Sequence, residues 1–183
     1  MISEKQLIKD CQDGKKASQY ELVKRYSKML MVVCIRYVKD ESSAKDVLQE
    51  TLIRIFRSIG KYQATGSFEG WMKKIAVRCS LQWLEKNKAR REVYALDMNM
   101  DEPFESETLY TLTVEQISKL IAELPAGYQT VFNLNVVEGY DHQEIAELLN
   151  ITESASRSQL VRARRLLQKK INSLISTKRS RII

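Results

Sequence analysis

The chain has 183 residues, 44% of them hydrophobic, enough for one medium domain or two small ones. Six Gly, two Pro and strong 3.6-residue patterning, with almost no alternating stretches, point to an all-α protein and away from sheet folds. Thirty Lys and Arg against 23 Asp and Glu leave a formal net charge of +7, which favours a polyanionic partner; one His and three scattered Cys outside any CxxC spacing give no catalytic or metal cluster.

Residues 2–38 read as two helices with Gly14 between them. Leu7, Ile8 and Cys11 make a short apolar stripe. Tyr20, Leu22, Val23, Tyr26, Leu30, Val33, Cys34 and Tyr37 make a longer one, read as core. Cys11, Cys34 and Cys79 are expected to be reduced, packed thiols. The start, MISEKQLIKD, is polar, and the most apolar run, Met29–Ile35, is far too short to cross a bilayer, so a cytoplasmic location is expected.

In DESSAKDVLQETLIRIFRSI, residues 40–59, Asp40 to Ser43 supply caps, and Ala44, Val47, Leu48, Thr51, Leu52, Ile55 and Ile59 repeat as a core stripe. The other face carries Asp46, Gln49, Glu50, Ile53, Arg54 and Arg57. Ile53 is either one scattered surface Ile or the centre of a helix-binding patch with a polar rim.

A loop over residues 60–70, GKYQATGSFEG, precedes the helix WMKKIAVRCSLQWLEKNKARR. Tyr62, Phe68 and Trp71 stand beside Lys61, Lys73, Lys74 and Arg78. Aromatics interleaved with cations suit unpaired bases, each of which offers a π-face and a phosphate. The competing reading makes Phe68, Trp71 and Trp83 core residues, and for Trp83 it is the preferred one. Lys86, Lys88, Arg90 and Arg91 also complement the helix dipole, a role that needs no DNA.

In EVYALDMNMDEPFESETLYTLT, residues 92–113, six acids face no Lys or Arg, periodicity is lost, and Pro103 discourages a continuous helix. This reads as a linker that folds back on the basic modules or threads a basic channel elsewhere. The expected domains are therefore residues 1–91 and 114–176, with a frayed basic tail at 177–183.

In the second domain VEQISKLIAEL is amphipathic, Pro125 with Gly127 ends it, and YQTVFNLNVVE forms a helix stopped by Gly139. Asp141 and Glu144 have capping-box spacing, Asn150-Ile151 breaks the pattern, and Thr152 caps a further helix. On that helix Ser156, Leu160, Ala163, Leu167, Ile171 and Leu174 form the core stripe; Ser154, Ser158, Arg162, Arg165 and Lys169 lie opposite. From residue 114 to 153 seven acids face one cation, whereas from Ser154 onward there are nine cations and no acid. Small hydroxyls followed by cations on an exposed second helix describe a helix-turn-helix reader of the major groove, with a plain solvated basic helix as the bland alternative. His142 reads as a surface residue near phosphate.

DVLQETLIRIFRSI, FEGWMKKIAVR and IAELPAGYQTVFNLNVVEGYDHQEIAELLNITESASRSQLVRARRLL, in this order, resemble a bacterial RNA polymerase sigma factor of the extracytoplasmic-function group of the sigma-70 family. The resemblance spans about residues 20–171. It implies two small helical domains, regions 2 and 4, joined by the acidic linker, in a non-catalytic, dissociable specificity subunit of core RNA polymerase. No cofactor, metal or small-molecule substrate is expected.

The family's DxxQE motif, which docks on the polymerase clamp helices, falls on Asp46, Gln49 and Glu50, beside Ile53 and Arg54. Its reader of the minus-ten promoter element falls on Lys61, Tyr62, Ser67, Phe68, Trp71, Lys74 and Arg78, with Lys88, Arg90 and Arg91 at the basic helix end. Its reader of the minus-thirty-five element falls on Ser154, Ala155, Arg157, Ser158, Gln159, Arg162 and Arg165. The family's linker enters the RNA exit path, and an anti-sigma partner is usual for the group. Arg78 stands where the family commonly has Asn, and Ser154 to Gln159 replace the common Gly-Thr-Val-Lys-Ser-Arg. The alternative reading is a helix-turn-helix regulator that binds duplex DNA as a dimer without polymerase.

Overall fold

The computed structural model describes residues 2–87 and 113–180, with side chains as far as Leu174. These fall into two compact units, each with its own core. The acidic linker up to residue 112, Lys88, Arg90, Arg91 and the last three residues lie outside the described residues.

The first unit contains α1 (Glu4–Gln12), α2 (Lys16–Val38), α3 (Glu41–Ser58), a short 3-10 turn (Ile59–Lys61) and α4 (Phe68–Lys86). Ser3 starts α1 by accepting from the Gln6 N–H at 3.3 Å, and Gly14, at φ +77°, turns the chain into α2. Asp10 braces this corner, accepting from Lys15 Nζ at 2.7 Å and Gln6 Nε2 at 2.8 Å, with the Ser18 hydroxyl at 3.4 Å. Asp40 caps α3 through the Ser43 N–H at 2.7 Å.

α2, α3 and α4 pack mutually, and α1 lies on α2. Their apolar stripes meet at Leu22, Tyr26, Leu30, Val33, Ala44, Val47, Ile55, Met72, Ala76 and Val77. The buried hydroxyls of Thr51 and Ser80 donate to the carbonyls of Val47 and Ala76, so neither costs an unmade hydrogen bond. All three cysteines are free and buried, and burial pushes the Cys34 thiol up to about 11, which makes it a poor nucleophile.

Tyr20 departs from the expected stripe, being 73% exposed. It stands two residues from each of the flanking buried residues Ser18 and Leu22, and so about 160° round the helix from both. Trp83, expected in the core, is half-buried.

The second unit contains α5 (Val114–Ala122), α6 (Ala126–Phe132), a π-helical segment (Asn133–Val137), α7 (His142–Leu149) and α8 (Glu153–Ser180). Thr113 and Gln116 form a capping box at α5. Leu120, Leu124, Ala163 and Leu167 make the core cluster joining α5 to α8, with Tyr128, Phe132, Ile171 and Leu174 packed against it. Gly127 lies inside α6 rather than ending α5. α8 keeps its helical backbone to Ser180, past the expected stop at 176, because no Gly or Pro interrupts it.

The π-helical turn puts Asn133 inside, 1% exposed, where neither side-chain amide atom has a hydrogen-bond partner. Among the described residues no helix is long and apolar enough to cross a membrane.

Candidate functional site

Three surfaces carry the residues singled out by the sequence. The first is on α3. With Ala44, Val47, Thr51 and Ile55 facing inward, the helical period turns Asp46, Gln49, Glu50 and Ile53 outward. All four are exposed, Ile53 at 44%.

Arg54 is half-buried and fully engaged. Its Nε donates to Glu50 Oε1 at 2.6 Å, and its Nη1 donates to Gln82 Oε1 on α4, also at 2.6 Å. That hydrogen bond holds the Glu50 carboxyl below its ordinary range and therefore charged. Arg54 thus acts as a brace that aims Glu50, more than as a contact residue. Gln82, not singled out beforehand, completes the brace; no sequence pattern relates positions on two different helices.

The second surface is built around the loop before α4. Ser67 caps that helix by accepting from the Gly70 N–H at 3.0 Å, which starts α4 at Phe68, three residues earlier than the sequence suggested. Gly70 permits the cap, since a Cβ there would lie 2.8 Å from Ser67 Oγ. The Tyr62 hydroxyl donates to the Gly66 carbonyl at 2.6 Å and closes the loop, and Ala64 takes a left-handed φ of +52°.

A solvent-open cavity of about 410 Å³ beside the loop is lined by Lys61, Tyr62, Gln63, Thr65, Gly66, Ser67, Gly70, Trp71 and Lys74. Its aromatic wall is anchored from within. Phe68, 1% exposed, lies 5.2 Å from the Tyr62 ring, 5.6 Å from Trp71 in a stacked arrangement and 5.8 Å from Tyr26. This corrects the assignment of Phe68 as a DNA contact: its ring is closed off behind Tyr62 and Trp71, which are 5.1 Å apart.

Trp71, Lys74 and Arg78 share one side of α4, with Lys74 and Arg78 exposed. The arrangement offers a flat apolar wall, carbonyl and hydroxyl groups within the loop, and cations at the mouth. Gln63, Thr65 and Gly66 join it through loop geometry, which periodicity cannot reveal.

The third surface is the corner between α7 and α8. Asp141 and Glu144 complete their capping box, the Asp141 N–H donating to Glu144 at 3.0 Å and the Glu144 N–H donating to Asp141 at 2.8 Å. Asn150, at φ +52°, ends α7 in the left-handed conformation, and Thr152 then accepts from the Ala155 N–H at 3.1 Å to start α8.

His142, read as a surface residue near phosphate, is half-buried and has a structural contact as well. Its Nδ1 hydrogen-bonds the buried Ser156 hydroxyl at 2.8 Å and pins the start of α8 to α7. With Ser156, Leu160 and Ala163 inward, α8 exposes Ser154, Ser158, Arg162, Arg165 and Lys169. Arg157 is exposed and ion-paired with Glu153.

The Arg162 guanidinium donates to the Tyr128 hydroxyl on α6 at 3.3 Å. Gln159 departs from its expected role. Half-buried, it turns its side-chain carbonyl toward α6, within 3.2 Å of where a Cβ on Gly127 would stand, and not toward the exposed face. Ala155 is likewise half-buried. Tyr128 was missed because it supports the site from another helix. Val161, 47% exposed among the cations, was legible on the helical wheel and passed over.

Residues 22–90 match the family model for Sigma-70 region 2, and residues 114–167 match that for Sigma-70, region 4. The chain is 27% identical to the ECF RNA polymerase sigma-E factor of Haemophilus influenzae over 187 aligned positions, covering 95% of this chain and 98% of that one. It is 25% identical to the ECF RNA polymerase sigma factor SigW of Bacillus subtilis, covering 93% and 97%.

Among solved structures, the fold is similar to RpoE of Bartonella quintana in complex with the anti-sigma factor NepR, with a TM-score of 0.54 at 18% identity over 84% of this chain and 96% of that one. It is also similar to CnrH in complex with the cytosolic domain of CnrY, with a TM-score of 0.51 at 18% identity over 91% and 96%.

Proposed function

We propose which residues do which work in this chain, which belongs to the sigma-70 family as a member of its extracytoplasmic-function group. The chain directs RNA polymerase to promoters; the polymerase supplies the chemistry, and the work takes place in the cytoplasm. Asp46, Gln49, Glu50 and Ile53 dock on core polymerase, the apolar Ile53 desolvating at the centre while the braced Glu50 and its neighbours form the polar rim.

The loop and the start of α4 capture an unpaired base of the minus-ten element. Trp71 and Tyr62 supply the stacking wall, and Lys61, Lys74 and Arg78 meet the backbone phosphates. Ser154, Ser158, Arg162 and Arg165 on α8 enter the major groove at the minus-thirty-five element, with Arg157 toward the flanking phosphates. Lys88, Arg90 and Arg91 supply further cations for promoter DNA, and residues 92–113 are the linker between the units. A partner of the anti-sigma class, as NepR is to RpoE, holds the chain inactive.

The observation that carries the reading is the cavity of about 410 Å³ with an aromatic wall and a cationic mouth, within the volume range of small-ligand pockets. A duplex-only regulator has no use for such a pocket. The test is promoter opening by the reconstituted holoenzyme, followed with a fluorescent base analogue in the minus-ten element. Trp71→Ala should abolish the fluorescence rise while leaving polymerase binding intact. An unchanged rise would refute the pocket assignment.

A further inference from the structure

Val161 lies in the third turn of α8, 47% exposed, on the side away from Leu160, Ala163 and Leu167. At 100° per residue, Ser154, Ser158 and Val161 fall within one narrow strip along the helix. Arg157 and Arg164 flank the strip on one side and Arg162 on the other, and Arg165 continues the strip one turn beyond Val161, all of them exposed. The exposed surface from Ser154 to Val161 is therefore a low ridge of short side chains, flanked by longer cations and ended by Arg165.

The chemistry of that ridge is specific. Serine hydroxyls and arginines can meet phosphates or the nitrogen and oxygen atoms of base edges, and the flanking cations can reach past the ridge to either. Val161 can do neither. Its short branched side chain gains from contact only with an apolar group that comes close to the helix backbone, and the small neighbours Ser154 and Ser158 allow that approach. The major groove presents one apolar group, the C5-methyl of thymine. We propose that Val161 is a specificity-determining residue that reads a thymine methyl in the upstream promoter element. The inference rests on the assignment of α8 to the minus-thirty-five element and deepens it by naming the base.

The test uses holoenzyme assembled from core polymerase and the full chain. Wild type and Val161→Ala each select from duplexes randomised across the upstream element, and the selected duplex is then remade with deoxyuridine in place of each thymine. The expected result is one thymine whose enrichment falls about fourfold in Val161→Ala, the scale set by removing a buried methyl or methylene contact. Deoxyuridine there weakens wild type about fourfold and leaves Val161→Ala unchanged. Equal sensitivity of both proteins to deoxyuridine would overturn the inference. So would a loss spread evenly over all sequences, or a loss of polymerase binding with the DNA preference intact, the latter making Val161 a protein contact. If wild type itself selects no upstream motif, the assignment of α8 fails first and the inference falls with it.

Discussion

Asp10 is 7% exposed and ionised, held by Lys15 and Gln6 at the corner of α1 and α2. The Lys15 hydrogen bond, followed by that of Gln6, keeps its carboxyl below the ordinary value of 3.8. A carboxyl whose folded value is depressed contributes stability that is complete above the unfolded value and lost as pH falls through the folded one. Asp10→Asn should therefore lower the Tm at neutral pH, and the gap from wild type should shrink as pH drops below 3.8. A gap that does not change with pH would assign the effect to packing. At the DNA-facing end, Tyr128→Phe removes the partner of Arg162 while keeping its charge. Upstream-element affinity should fall about threefold, the worth of one long, solvent-exposed hydrogen bond, with the salt slope unchanged. Arg162→Ala should instead lower that slope by about one. Ile53 was open to two readings as a residue in a sequence, and its exposure beside the braced Glu50 is what both of them require. Tyr20, counted with the core, stands in solvent because its angular offset from Leu22 outweighs its apolar character.

Helices are the level at which the sequence was most readable. The stripes of α3 and α8 face inward as the 3.6-residue period requires, and the capping box at Asp141 forms with both hydrogen bonds. Removing it with Asp141→Ala should destabilise the second unit by about 1 kcal/mol and leave the first untouched; a shift in the melting of the first unit would contradict their independence. The start of α4 was misjudged because its cap, Ser67, sits within a run of turn-forming residues and Gly70 looks like the end of the loop. Phe68 was ambiguous for a different reason. Its choice between solvent and core is decided by the rings of Tyr26, Tyr62 and Trp71, and Tyr26 is more than forty positions away in the chain. Gln82 and Tyr128 share that cause: each supports a site on a neighbouring helix, and helical periodicity carries no information across helices. Gln159 looked like a groove contact because it sits in the recognition stretch, yet Gly127 leaves room for its side chain on the α6 side.

At the scale of the whole molecule, charge follows function. Residues 114–153 carry seven acids and one cation, and the chain from Ser154 onward carries nine cations and no acid, so positive potential is concentrated on the helix assigned to duplex DNA. The first unit presents a braced patch on α3 and an aromatic cavity at the start of α4, and its part of the chain is also basic, with twenty Lys and Arg against ten acids through Arg91. Among the described residues no group of His, Cys, Asp or Glu could hold a metal ion. The parts make sense together as an adaptor between an enzyme and a DNA sequence. The most direct measurement is run-off transcription with core polymerase, the purified chain and promoter fragments from its own genome. Specific transcripts that require the chain and disappear when Gln49 and Glu50 are both replaced by Ala are the predicted result. Sequence-specific duplex binding by the chain alone, with no transcripts from the reconstituted holoenzyme, would contradict the account and make the protein a polymerase-independent regulator.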